Sequence, residues 1–227
     1  MLRGVLFAVA AVAVLSTVSH AAAPPLFTGD EPVPADAVVL FDGNDISAWV
    51  DVRTEETPSW KVENGYMEVQ GGSIRTKQSF TDFQLHLEFW LPLMTEAGGH
   101  GRANSGVYLQ GIYEVQILDS HGVENPGAGD CGGIYAVAPP MVNACRPPKH
   151  WQSFDILFRA ARLGENGEAA APARVTVLHN GVLIQENVEV KQATPGGLSA
   201  EVGETGPIML QDHGNPVRFR NIWIRAL

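Results

Sequence analysis

Phe83-Gln84-Leu85-His86-Leu87-Glu88-Phe89-Trp90-Leu91 alternates: Phe83, Leu85, Leu87, Phe89 and Leu91 share one side of an extended chain, while Gln84, His86 and Glu88 share the other. A period of two does not suit a helix and predicts a half-buried antiparallel strand. The same alternation returns at Tyr113-Val115-Ile117, Phe154-Ile156-Phe158 and Val175-Val177. In His179-Asn180-Gly181-Val182 an Asn-Gly pair separates two such runs, which predicts a hairpin on a type I′ turn, because that turn needs positive φ at both central residues. Near the end, Val217 and Phe219 lie in one phase and Ile222 and Ile224 in the other, so a β-bulge is expected around Arg220-Asn221. No sustained helical spacing of apolar residues follows the leader. Many short strands, with 24 Gly and 15 Pro for turns, predict an all-β fold, an antiparallel β-sandwich or jelly roll.

Composition agrees with one globular domain. The 227 residues are 45% hydrophobic and 18% charged, with a net charge of −10, enough apolar material for a core and too little charge for a disordered chain. Phosphate-backbone binding depends on clustered Lys and Arg, which the sequence lacks, so nucleic acid is a poor candidate partner. Met1-Leu2-Arg3, the apolar run from Val5 to Leu15 and the small residues up to Ala23 read as a secretory signal over residues 1–23. That run is well short of the roughly 20 residues of a membrane span, so no transmembrane anchor is expected after cleavage. Residues 24–37, rich in Pro, Asp and Glu, read as a linker, and residues 38–227 as a single domain. The expected location is periplasmic or extracellular, an oxidising setting in which Cys131 and Cys145 would pair as a disulfide. Closing that loop would contribute about 3 kcal/mol.

The chemistry concentrates between Arg102 and Asp119. If Tyr113, Val115 and Ile117 face the core, Glu114 and Gln116 project together from the opposite face, and Asp119 joins them only if the strand bends after Ile117. Two carboxyls about 5 to 9 Å apart would serve acid/base chemistry on a glycosidic bond; a solvated outer strand face carries the same pattern. His100, His121, His150 and His213 fall in loops or at strand ends, with His213 beside Asp212 a possible general base. Gly127-Ala128-Gly129-Asp130-Cys131-Gly132 matches a dinucleotide-binding spacing, but Pro139-Pro140 follows where a helix would be needed, so it reads as a turn-rich loop. Of the five Trp, Trp90 breaks the apolar phase of its strand and is the candidate stacking platform for a sugar.

Four separated segments carry a resemblance. They are Leu40-Phe41-Asp42-Gly43-Asn44-Asp45-Ile46-Ser47-Ala48-Trp49, the stretch from Asn104-Ser105-Gly106-Val107-Tyr108 to Asp119-Ser120, Pro139-Pro140-Met141-Val142-Asn143-Ala144-Cys145-Arg146-Pro147, and Leu210-Gln211-Asp212-His213-Gly214-Asn215-Pro216. In this order they resemble the 3-keto-disaccharide hydrolase domain family, over roughly Val38 to Leu227. The resemblance implies a concanavalin A-like jelly roll, exported by bacteria, that acts on glycosides oxidised to a ketone at sugar carbon 3. Its fold is also similar to laminarinase-type glycosidases, whose catalytic strand reads E-x-D-x-x-E; here Glu114 to Asp119 reads E-x-Q-x-x-D, a departure from the ordinary retaining pattern. A 3-keto sugar permits another route, in which the acidified proton on carbon 2 is removed, the glycosidic oxygen leaves and water adds. The implied roles are His213 or Glu114 as base and Asp119 or Glu114 as acid. Arg102, Asn104 and Gln116 would hold substrate and enolate, with Gln211 and Trp90 as further substrate contacts. No cofactor is required by the sequence, although a divalent metal ion could bridge the ketone and a hydroxyl. The expected partners are a carbohydrate substrate and an oxidoreductase that makes the 3-keto sugar. A non-catalytic lectin-like module and an ordinary glycoside hydrolase are the competing readings of the same sandwich.

Overall fold

The computed structural model describes residues 32–165, 167 and 169–227. The expected signal peptide and most of the expected linker lie outside the described residues. Nearly every described element is a strand. Seven precede the middle of the chain: β1 (Val38–Phe41), β2 (Trp49–Asp51), β3 (Lys61–Glu63), β4 (Tyr66–Glu68), β5 (Ile74–Phe80), β6 (Phe83–Trp90) and β7 (Ser105–Leu109). Then come β8 (Tyr113–Ile117), β9 (Trp151–Arg159), β10 (Arg162–Leu163), β11 (Ala169–Ala171), β12 (Ala173–His179), β13 (Val182–Val190), β14 (Gly206–Leu210) and β15 (Arg218–Ala226).

They form an antiparallel β-sandwich. The larger sheet runs β13-β12-β9-β6-β15-β4-β3 with β1 also paired to β15, the smaller runs β2-β5-β14-β7-β8, and β10-β11 form a separate ribbon. The apolar phases face each other between the sheets. Phe83, Leu85, Leu87 and Phe89 are fully buried, as are Tyr113, Val115 and Ile117. The Tyr113 ring meets that of Phe158 at 5.7 Å between centroids, joining β8 of one sheet to β9 of the other. Trp49, Trp60 and Trp223 are also buried, and Trp60 stacks on Phe219.

Local expectations recur in the structure. His179 pairs with Val182 across the hairpin, and Asn180 and Gly181 take φ of 53° and 78°, as a type I′ turn requires. In β15 the register against β6 shifts between Arg220 and Trp223, with Asn221 at φ 47°. That bulge turns Phe219 and Ile222, three apart, toward the same core.

One expectation is corrected. The outer face of β6 is not solvated along its length, since Gln84 and His86 are 1% and 0% exposed. The strand lies between β9 and β15, whose side chains close over it: His86 Nδ1 is 2.7 Å from Asp155 Oδ1, its ring stacks on Trp223, and Arg225 donates to Gln84 Oε1. Alternation marks which residues share a face, but the neighbouring strands decide whether that face meets water.

Candidate active site

The site is built on the β7–β8 hairpin. Its short connection uses Gln110 and Gly111 at φ 52° and 71°, which fixes the register so that Tyr108 lies opposite Glu114 and Gly106 opposite Gln116. Val107 and Val115 point into the core, so these four residues occupy the other face of the smaller sheet. β14, the next strand, delivers Gln211: its backbone N–H donates to Gly106 O and its Nε2 to the Tyr108 hydroxyl at 3.1 Å. A cavity of about 180 Å³ opens on this face, with Glu114, Tyr108, Gln116 and Gln211 in its lining and His100 and His213 beside them.

Glu114 is 3% exposed. Its Oε2 is 2.8 Å from the Tyr108 hydroxyl, which also reaches the Pro195 carbonyl at 3.0 Å. The main chain beneath the carboxyl is fixed on both sides, because Glu114 N–H donates to Thr194 Oγ1 at 2.9 Å and its carbonyl accepts from Tyr135 N–H. Burial penalises the carboxylate and pushes the Glu114 pKa up to about 7, the Tyr108 hydrogen bond offsetting part of that rise. The Tyr108 phenol is pushed well above its ordinary value, by burial first and by the adjacent carboxyl second. Near neutral pH the site therefore holds a carboxyl poised between its two protonation states beside a phenol that keeps its proton. Gln116 Nε2 donates to Asn104 Oδ1 at 2.8 Å, and Asn104 Nδ2 to the His100 carbonyl, which fixes the amide side of the cavity.

Of the residues expected from sequence, Glu114, Gln116, Asn104, Gln211 and His213 border this cavity. Arg102 and Asp119 do not. Strand β8 ends at Ile117, the chain turns with Ser120 N–H donating to Leu118 O, and Asp119 Oδ2 closes on Arg102 Nε at 3.2 Å. Each neutralises the other, leaving Glu114 as the carboxylate of the cavity. Trp90 also lies elsewhere. It faces outward from the larger sheet, where the Arg218 guanidinium covers its ring at 4.4 Å. Asp212 does not serve His213 either, since its two oxygens accept from Gly72 N–H and Gly214 N–H and shape the loop that carries the imidazole. Cys131 and Cys145, expected as a disulfide, are two thiols, and Cys145 Sγ lies 3.8 Å from the Leu118 carbonyl and 3.6 Å from that of Arg146. Among the described residues, no three His, Cys, Asp or Glu side chains gather as a metal-ligand group.

Sequence reasoning assigned no role to Tyr108, Tyr135 or the Pro195-Gly196 wall, all of which border the cavity. Tyr108 follows from the length of the connection, because a three-residue loop, Gln110-Gly111-Ile112, pairs Leu109 with Tyr113 and so sets Tyr108 opposite Glu114. Pro195 does not, since it meets Tyr108 from 87 residues away.

A family model described as the 3-keto-alpha-glucoside-1,2-lyase-like domain matches residues 36–225. A curated protein of Bacteroides thetaiotaomicron named 3-keto-disaccharide hydrolase is 24% identical, over 86% of this chain and 80% of its own length. A crystal structure from Parabacteroides distasonis, carrying a provisional glycosyl hydrolase name, superposes with a TM-score of 0.79 at 38% identity, over 87% of this chain and 93% of that one. A second structure from the same organism, with the same provisional name, superposes at 0.60 with 24% identity, over 85% of this chain and 94% of the other, which supports the fold.

Proposed function

The chain belongs to the 3-keto-alpha-glucoside-1,2-lyase-like domain family, and from this premise we propose that it cleaves the glycosidic bond of 3-keto-glycosides by elimination followed by hydration. The ionised Glu114 carboxylate takes the proton from sugar carbon 2, and the electrons of that C–H bond pass toward the ketone as an enolate. The enolate then expels the oxygen on carbon 1, breaking the glycosidic bond and leaving a carbon 1–carbon 2 double bond. The departing oxygen collects a proton from the newly formed Glu114 acid or from His213. Water adds across the double bond, hydroxyl to carbon 1 and hydrogen to carbon 2, regenerating a 3-keto sugar. Asn104, Gln116 and Gln211 hold the sugar hydroxyls and the enolate oxygen.

The observation that carries this reading is that Glu114 is the one carboxylate bordering the cavity among the described residues, with its pKa held at about 7. A two-carboxylate glycosidase needs a partner acid about 5 to 9 Å away, whereas removal of an acidified proton needs one base titrating near the working pH. The same proposal places the protein outside the cytoplasm, by its leader, and downstream of an oxidoreductase that makes the ketone. The test is aglycone release from a 3-keto-glucoside and its unoxidised parent, with and without a chelator, against Glu114→Gln. Release from the keto sugar alone, lost in the variant, is the expected result, and chelator sensitivity reports a divalent ion. Cleavage of the unoxidised parent, or undiminished turnover by Glu114→Gln, overturns the proposal.

A further inference from the structure

Beside the Glu114 cavity lies a larger groove of about 410 Å³, which shares Tyr135, Pro195 and Gly196 with it. Its remaining wall comes from Ala136-Val137, from Gln192, Ala193 and Thr194, and from Gly197, Ser199 and Ala200. No charged side chain lines it, on a protein of net charge −10. Its polar side chains are Tyr135, Gln192, Thr194 and Ser199, and the last two are engaged within the protein. Thr194 Oγ1 accepts from Glu114 N–H and donates to the Ile112 carbonyl, and Ser199 Oγ accepts from Glu201 N–H. Beside the Gln192 amide and Tyr135, what faces a ligand is Val137, Ala193, Pro195 and Ala200.

The groove is also preformed. Thr194 N–H donates to Ile112 O and Leu198 N–H to Gly111 O, each at 2.8 Å, while Tyr135 N–H donates to Glu114 O at 3.1 Å. Both walls are thus strapped to the β7–β8 hairpin that carries the carboxyl. At the junction of the two spaces Gly196 has φ +82°, and a β-carbon there would stand 2.6 Å from the Tyr108 hydroxyl. Glycine there lets the strap that both spaces share as a wall lie close against the Tyr108 phenol.

We propose that this groove is the leaving-group subsite of the reaction described above, on which the inference rests, and that it selects an uncharged, largely apolar aglycone over a second sugar. The polar cavity holds the oxidised ring, and the groove receives what departs from carbon 1. A second sugar would bring hydroxyls that lose water and find few partners, each at a cost. An alicyclic or aromatic aglycone loses nothing of that kind and gains from burial.

The test compares kcat/KM on methyl and cyclohexylmethyl 3-keto-glucosides of one anomeric series, with a 3-keto-disaccharide as the third substrate. Methyl and cyclohexylmethyl alcohols are leaving groups of similar basicity, so their ratio reports contact with the groove. The cyclohexylmethyl compound is expected to lead by about tenfold or more, from burial of its extra methylenes, and the disaccharide to stay near the methyl compound. Val137→Asp, at a position 42% exposed, is expected to bring the ratio toward one. Equal rates on the first two substrates, a leading disaccharide or an unchanged ratio in Val137→Asp overturns the subsite alone. No release from any of the three overturns the enzymatic reading and the subsite together.

Discussion

A β-carbon placed on Gly106 would lie 2.3 Å from Glu114 Oε1, so the carboxyl of β8 rests on the bare backbone of β7. The neighbouring strand leaves the space and Tyr108 supplies the hydrogen bond, and together they fix where the acid can sit.

Gly106→Ala is therefore expected to keep the fold and displace the carboxyl. Gly106 does not occupy a positive-φ conformation, so alanine fits the backbone and the clash falls on the Glu114 side chain. A fall in kcat of about a hundredfold, consistent with a misplaced reacting group, with the melting temperature lowered only slightly, is the outcome that kinetics and thermal unfolding would check.

Tyr108→Phe removes the hydrogen bond that holds the Glu114 pKa down. If the carboxylate is the base, activity rises with pH as Glu114 ionises near 7 and the rising limb of the profile moves to higher pH in the variant. A limb unmoved by the substitution would show that Glu114 is not the group being titrated.

The same carboxyl shapes stability. Its folded pKa of about 7 lies above the ordinary 4.5, so the native state takes up the proton more readily than the unfolded chain. Stability is fully present below about 4.5 and falls as pH rises through 7, by about 3 kcal/mol. Glu114→Gln should be more stable than the parent at pH 8 and indistinguishable at pH 4 in denaturant titrations.

His179 acts on the acid side. Burial first, and Arg146 second, push its pKa down from 6.5 to about 3, so the stability of its neutral form is present above 6.5 and lost as pH falls toward 3. His179→Phe is expected to flatten the acid limb of a melting-temperature profile, at some loss of stability near neutrality from the missing bond to Gln152.

Trp90→Ala should change KM by less than about twofold and cost about 1 kcal/mol, the worth of a partly exposed cation–π contact, because the ring is covered by Arg218 on the opposite sheet from Glu114. A loss of substrate binding without a loss of stability would return this ring to the site.

How far the sequence reached follows from what alternation can encode. Phase along 83–91, the Asn180-Gly181 pair and the slip at Arg220-Asn221 are local signals, and each reappears where local physics puts it. Glu114 and Gln116 share a face for the same reason. The pattern says that Trp90 faces away from the core, but not which sheet owns that face. It does not mark where a strand ends, so it could not turn Asp119 onto Arg102. The Pro195 carbonyl and the 194–198 strap come from distant chain and have no local signature.

The position of β15 has a consequence for how the polypeptide is made. It is the last strand in sequence, yet it lies inside the larger sheet, with β6 on one side and both β4 and β1 on the other. Until this strand emerges, β6 has only β9 beside it and the first strand has nothing to join. The pairing of β1 with β15 therefore ties the beginning of the domain to its end, and it can form only once the whole domain has been made.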